Sequence, residues 1–219
     1  MGNVSMLVVC VAVIFSLVSV SQTAPVSHTC EELLKPLEMK TIDPMIGKWS
    51  FIAMSTDRPG IRTFTDLFVE NIWWDFTPGA SSNSLNAKKH VKLMEECYSK
   101  QSNFTLEKNI WTISDNNAHF TAVLLPTCSD CMVTMTRSSI KGNVYTNLKL
   151  LSKRRELSKA ELLEFDRQIE CLKLPSRFSY TIEEELCPDT SPPFPEMDDF
   201  WQAQKDFLEI DVVKKILRA

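Results

Sequence analysis

The stretch MIGKWSFIAMS, Met45 to Ser55, decides how the rest of the chain reads. It sets a glycine, and two residues later a tryptophan, directly ahead of an alternating apolar run, the pattern of a half-buried strand. So large a side chain at a strand entrance needs a broad core to plug, and the neighbouring sequence supplies further strands. Asp57, Pro59 and Gly60 punctuate the first run, and TDLFVENIWWDFTP (65–78) follows, ending at Pro78-Gly79 and a serine-rich turn. NAKKHVKLM (86–94), CYSKQSNFTLE (97–107), NIWTIS (109–114), HFTAVLL (119–125), CMVTMT (131–136) and NVYTNLKLL (143–151) complete the series. Extended runs at this spacing, with no helical period between them and no internal repeat, predict an antiparallel sandwich or barrel.

One amphipathic helix follows. Ser158 and Glu161 make a capping box, Leu162, Phe165, Ile169 and Leu172 share an apolar face, and Pro175 closes the element. RFSYTI offers one more short strand, DTSPPFPE a stiff proline-rich linker, and Phe200, Ala203, Phe207 and Ile210 one face of a second, helical tail. At the other end, residues 1–24 carry no charged side chain. Their apolar core is too short for a transmembrane span, and small residues at Ser19, Ser21 and Ala24 mark a secretory signal peptide, cut after Ser21 or after Ala24. The expected divisions are thus a leader at 1–21, a β domain at 22–188, and the linker with its helix at 189–219.

Of seven cysteines, Cys10 leaves with the leader and Cys30, Cys97, Cys128, Cys131, Cys171 and Cys187 remain. An even set in an exported chain predicts three disulfides, although six cysteines alone allow ~15 pairings. Asn103-Phe104-Thr105 is a glycosylation sequon. The net charge of −4, with Lys and Arg scattered, gives no surface for nucleic acid. The histidines, His28, His90 and His119, lie far apart without a serine or carboxylate motif, so catalysis is not expected, nor is a metal or cofactor. Cys128-x-x-Cys131 supplies two of the four ligands that a zinc site needs, and it lacks the βαβ context of a redox motif.

GKWSFIA (47–53), WWDFTP (73–78) and LLEFDRQIECLKLP (162–175), with the six-cysteine layout, resemble the lipocalin family. Within it they resemble the alpha-1-acid glycoprotein (orosomucoid) and apolipoprotein M-like branch, and in character the pufferfish saxitoxin- and tetrodotoxin-binding proteins and related fish carriers. The resemblance covers Cys30 to about Cys187. It implies an eight-stranded up-and-down barrel with a packed C-terminal helix, extracellular in plasma. It pairs Cys30 with Cys171 and Cys97 with Cys187, leaving Cys128 for Cys131. It also implies that Gly47 and Trp49 close the barrel base, with Arg154 laid across the indole and Arg155 as the adjacent alternative.

An eight-stranded barrel holds one small ligand. By strict alternation along the second strand, Phe68, Glu70, Ile72, Trp74 and Phe76 share a face. The resemblance turns that face inward, together with Asn147, Lys149 and Leu151 on the last strand and Thr134 and Thr136 before it. Aromatics with a carboxylate suit an organic cation. Against this, Glu70 at a solvated rim would leave ordinary core, and Lys149 opposes a cation unless it pairs with Glu70 or sits at the mouth. The implied function is a secreted carrier of a small hydrophobic, amphiphilic or cationic organic molecule. The alternatives are a lipoprotein-associated lipid carrier and an orosomucoid-like acute-phase glycoprotein. One lipocalin branch isomerises prostaglandins with a free thiol, but all six mature cysteines here have plausible partners.

Overall fold

The computed structural model describes residues 29–115, 118–140, 142–179 and 186–193, with the side chains at 114, 115, 118, 119 and 140 excepted. The leader, the tail helix, His28 and the side chain of His119 lie outside that set. A short helix, α1 (Cys30–Leu33), is capped by Thr29 and Glu32, and a 3-10 turn (Asp43–Met45) leads into β1 (Gly47–Thr56). There follow α2 (Ile61–Phe68), β2 (Val69–Pro78), β3 (Ser84–Leu93), β4 (Glu96–Glu107), β5 (Ile110–Asp115), β6 (Ala118–Leu125), β7 (Cys131–Ile140) and β8 (Asn143–Ser152). Helix α3 (Lys159–Cys171) and a two-residue β9 (Phe178–Ser179) end the series.

The strands pair antiparallel in the order β2-β3-β4-β5-β6-β7-β8-β1-β9, and β1 also pairs with β2, so eight of them close on themselves. Each inward-facing set follows from the period of two. Trp49 lies opposite Trp74, Phe51 opposite Leu151, Thr134 opposite Lys149 and Trp74 opposite Lys89. A bulge at Ile52 turns that residue out of the barrel to join Leu125, Val133, Leu148 and Leu150. Against this outer patch α3 lays Phe165 and Ile169. Gln168 ties the helix down, donating from Nε2 to the carbonyls of Leu33 (3.1 Å) and Pro126 (2.8 Å).

Two local readings of the sequence are corrected here. The strand expected from Thr65 begins at Val69, because Ile61–Phe68 is helical. Gly60, at φ +81°, turns the chain into that helix, Arg62 and Asp66 pair one turn apart at 3.7 Å, and Phe64 packs on Phe68 at 5.4 Å. Phe68 therefore lies at the end of a helix and not on the strand wall. The register also slips between Val69 and Asn71, which breaks the alternation at Glu70.

The three disulfides are Cys30–Cys171, Cys97–Cys187 and Cys128–Cys131. The first joins the N-terminal segment to α3. The second straps residues 186–193 across the outside of β3 and β4. There Ser99 donates its backbone N–H to Pro192 at 2.7 Å and its hydroxyl to Ser191 at 2.9 Å, and Lys48 meets Asp189 at 3.4 Å. Beneath the strap Trp73 and His90 stack in parallel at 3.9 Å, and both are buried.

Candidate functional site

The base of the barrel is built first. Gly47, at φ +108°, occupies a conformation that disfavours any side chain, and it delivers Trp49 into the core. The indole N–H donates to the carbonyl of Met45 at 2.7 Å. Its ring is covered by Lys153, whose ammonium lies 5.0 Å from the ring centroid. The cation on the indole is thus Lys153, which corrects the expectation of Arg154. Arg154 instead bonds Asp130 at 2.5 and 2.9 Å and Glu161 at 2.6 Å. Two carboxylates bind a guanidinium more strongly than one indole face does. The Arg154 guanidinium, and after it the backbone N–H and hydroxyl of Ser158, hold the Glu161 carboxyl down to about 2.

Above the base lies an open cavity with about 70 Å³ of room for the centre of a water-sized sphere. Trp74, Phe76, Phe104, Trp111, Ile113, Ala122, Leu124, Met132 and Leu151 make most of its wall, with Met45 at the floor. Trp74 and Phe76 stack in parallel at 5.7 Å, and Phe104 meets Phe76 edge-on at 6.3 Å. Thr134, Thr136 and Lys149 supply the polar part of the lining. The structure therefore brings together Trp74, Phe76, Thr134, Thr136, Lys149 and Leu151 from the sequence candidates. Asn147 sits one inward position above Lys149 and accepts from the Thr56 hydroxyl at 2.7 Å. Ile72 packs in a separate cluster with Phe51, Met54 and Val91.

Glu70 is not part of the wall. The slip in register carries it to the side of Lys92, which it meets at 3.0 Å, and it accepts the backbone N–H of Glu95 at 2.6 Å. Its carboxyl is held below the ordinary range chiefly by Lys92. Among the described residues, aromatics and a carboxylate do not converge on the cavity.

What converges is positive charge. Lys89 of β3 lies directly opposite Trp74 on one side and Lys100 of β4 on the other, with its ammonium 5.9 Å from the Trp74 ring centroid. Protein surrounds that ammonium, and the side chain retains accessible surface, the condition of a group facing an internal space. Desolvation first, then the charges of Lys149 and Lys100, bring its pKa to about 8. Lys149 is lowered by desolvation as well. Among the described residues neither Lys89 nor Lys149 makes a hydrogen bond or ion pair. Lys89 was missed in the sequence because Lys88, Lys89 and Lys92 fall on both faces of β3. A strand with lysines on both sides does not announce which one points inward.

Outside the barrel, Asn103 is exposed on β4, and His90 is an outer-wall core residue whose pKa falls through burial and the nearby charge of Lys88. Cys128, Asp130, Cys131 and Glu161 bring potential ligand atoms within 4.8 Å of one another. The two sulfurs there are bonded to each other, and the Arg154 guanidinium bonds both carboxylates.

A closed eight-stranded up-and-down barrel with one helix packed outside is the lipocalin fold. Among solved structures, the siderocalin Ex-FABP, described as functioning through dual ligand specificities, matches it. Its TM-score is 0.58 at 13% identity, over 67% of this chain and 99% of that one. At that identity the likeness establishes the fold alone. No family model and no curated protein matches the sequence.

Proposed function

We propose that the protein is an extracellular carrier of a small amphiphile with an anionic headgroup. The apolar part lies in the aromatic cup, and the headgroup is held by Lys89 and Lys149. One observation carries this reading: Lys149 lines the cavity and Lys89 stands on the same inward register, opposite the lining residue Trp74, with no carboxylate among the described residues acting on either. An anion would relieve their repulsion and replace the water they have lost, whereas an organic cation would add a third like charge. The exported character rests on the leader-like N-terminus and the three disulfides. The dual specificities ascribed to Ex-FABP lend general support to ligand binding within this fold.

Tryptophan fluorescence titrations with dodecanoate and with dodecyltrimethylammonium test the sign of the charge. Dodecanoate is expected to bind the tighter. Lys149→Met and Lys89→Met are each expected to weaken it about tenfold or more, the scale of one charged hydrogen bond, while Glu70→Gln leaves it unchanged. Tighter binding of the cationic detergent would sink the proposal.

A further inference from the structure

We propose that Lys89 is a covalent capture site for amphiphilic aldehydes, forming an imine at the wall of the cup. The inference rests on reading the barrel as a carrier, and it adds a reaction to that reading.

The Lys89 ammonium stands over the Trp74 ring, beside Lys100 and within reach of the charge of Lys149. It has no hydrogen-bond acceptor or carboxylate among the described residues, and at 5.9 Å the Trp74 ring face is a weak hold on the proton. Desolvation and neighbouring cations are the two conditions that turn a lysine into a nucleophile at neutral pH. With a pKa brought to about 8, roughly a tenth of the side chain is the free amine at pH 7. The groups acting on it are Lys149 from β8 and Lys100 from β4, both cationic, so every charge identified there favours loss of the proton. Lys149 is lowered by desolvation.

Trp74, Phe76, Phe104 and Trp111 can hold an alkyl chain below, presenting a terminal carbonyl near the amine instead of leaving the encounter to chance. The Nζ lone pair attacks the carbonyl carbon to give a carbinolamine. Both amine hydrogens and the carbonyl oxygen then leave as water, and the C=N bond forms. No oxidant or reductant is consumed. The protonated imine retains the positive charge of the original ammonium, so a captured guest does not alter the charge of the lumen.

The test uses the full-length oxidised protein with dodecanal at pH 7.5, sodium cyanoborohydride to fix the imine, and peptide mass mapping. Lys89 is expected to carry at least tenfold more adduct than any other lysine, and excess dodecanoate is expected to suppress it. Lys89→Arg should abolish the dominant adduct, and an unchanged far-ultraviolet circular dichroism spectrum reports that the variant is folded. Adducts spread over exposed lysines, or centred on Lys149, overturn the assignment. If dodecanoate binds and Lys89 stays unmodified, capture is refuted and the carrier reading stands. If neither dodecanoate nor dodecanal binds, both fall.

Discussion

Lys89 illustrates how a single side chain can oppose stability and serve a site. Its folded pKa, about 8, lies below the ~10.4 of an unfolded lysine, so the unfolded chain binds more protons between those values. Stability is therefore expected to rise as pH climbs from about 8 to about 10.4, while affinity for an anionic guest falls over the same range. Lys89→Met should stabilise the empty protein at pH 7 by about 1–3 kcal/mol and flatten that rise. Urea unfolding at pH 7 and pH 10 reads both effects. At this scale the sequence was only partly legible. Trp49 could be read from its position ahead of the first strand, because a Gly-x-Trp entrance has few structural uses. Glu70 and Arg154 could not. One is displaced by a slip of a single residue, and the other is drawn away by carboxylates distant in sequence, Asp130 and Glu161.

Among elements, α3 was the most legible, because its cap and its apolar period are both local. The structure shows Ser158 and Glu161 satisfying one another's backbone N–H groups, and Phe165 and Ile169 buried. Helix α2 was not legible. Its residues run without a break into β2: Gly60 sets where the helix starts, and pairing that begins only at Val69 sets where it ends. The disulfides differ sharply in what they constrain. Cys30–Cys171 and Cys97–Cys187 span 141 and 90 residues, whereas Cys128–Cys131 spans 3. By loop-closure entropy the long bridges each contribute about 4–5 kcal/mol, and the short one about 2. Replacing both cysteines of either long bridge by alanine is expected to lower the melting temperature more than twice as far as the same change at Cys128 and Cys131. Calorimetry on the three double variants decides this.

For the whole molecule, the barrel was legible because eight runs with turn punctuation leave few ways to bury one face of each. Its contents were not, since an inward or outward lysine depends on register across strands. Closure also creates an outer wall that must be covered, and the strap of 186–193 covers it where Trp73 and His90 stack. Among the described residues neither ring nitrogen of His90 has a partner, and burial holds its pKa below the ordinary value. The unfolded chain thus takes up a proton first as pH falls, and stability is lost progressively below about pH 6.5. His90→Phe keeps the stack, removes the unpaired nitrogens, and is expected to stabilise by about 1 kcal/mol or more while blunting the acid loss. Thermal melts at pH 7.5 and 5.5 compare the two proteins.

The placement of the indoles gives the molecule two optical channels. Trp74 and Trp111 look into the cup, so an entering guest changes their emission directly. Trp73 is screened from the lumen by the wall itself and lies against an imidazole that becomes a quencher once protonated. Variants that leave one or the other indole emitting would therefore separate occupancy from unfastening of the outer band, within the same chain and without an added dye.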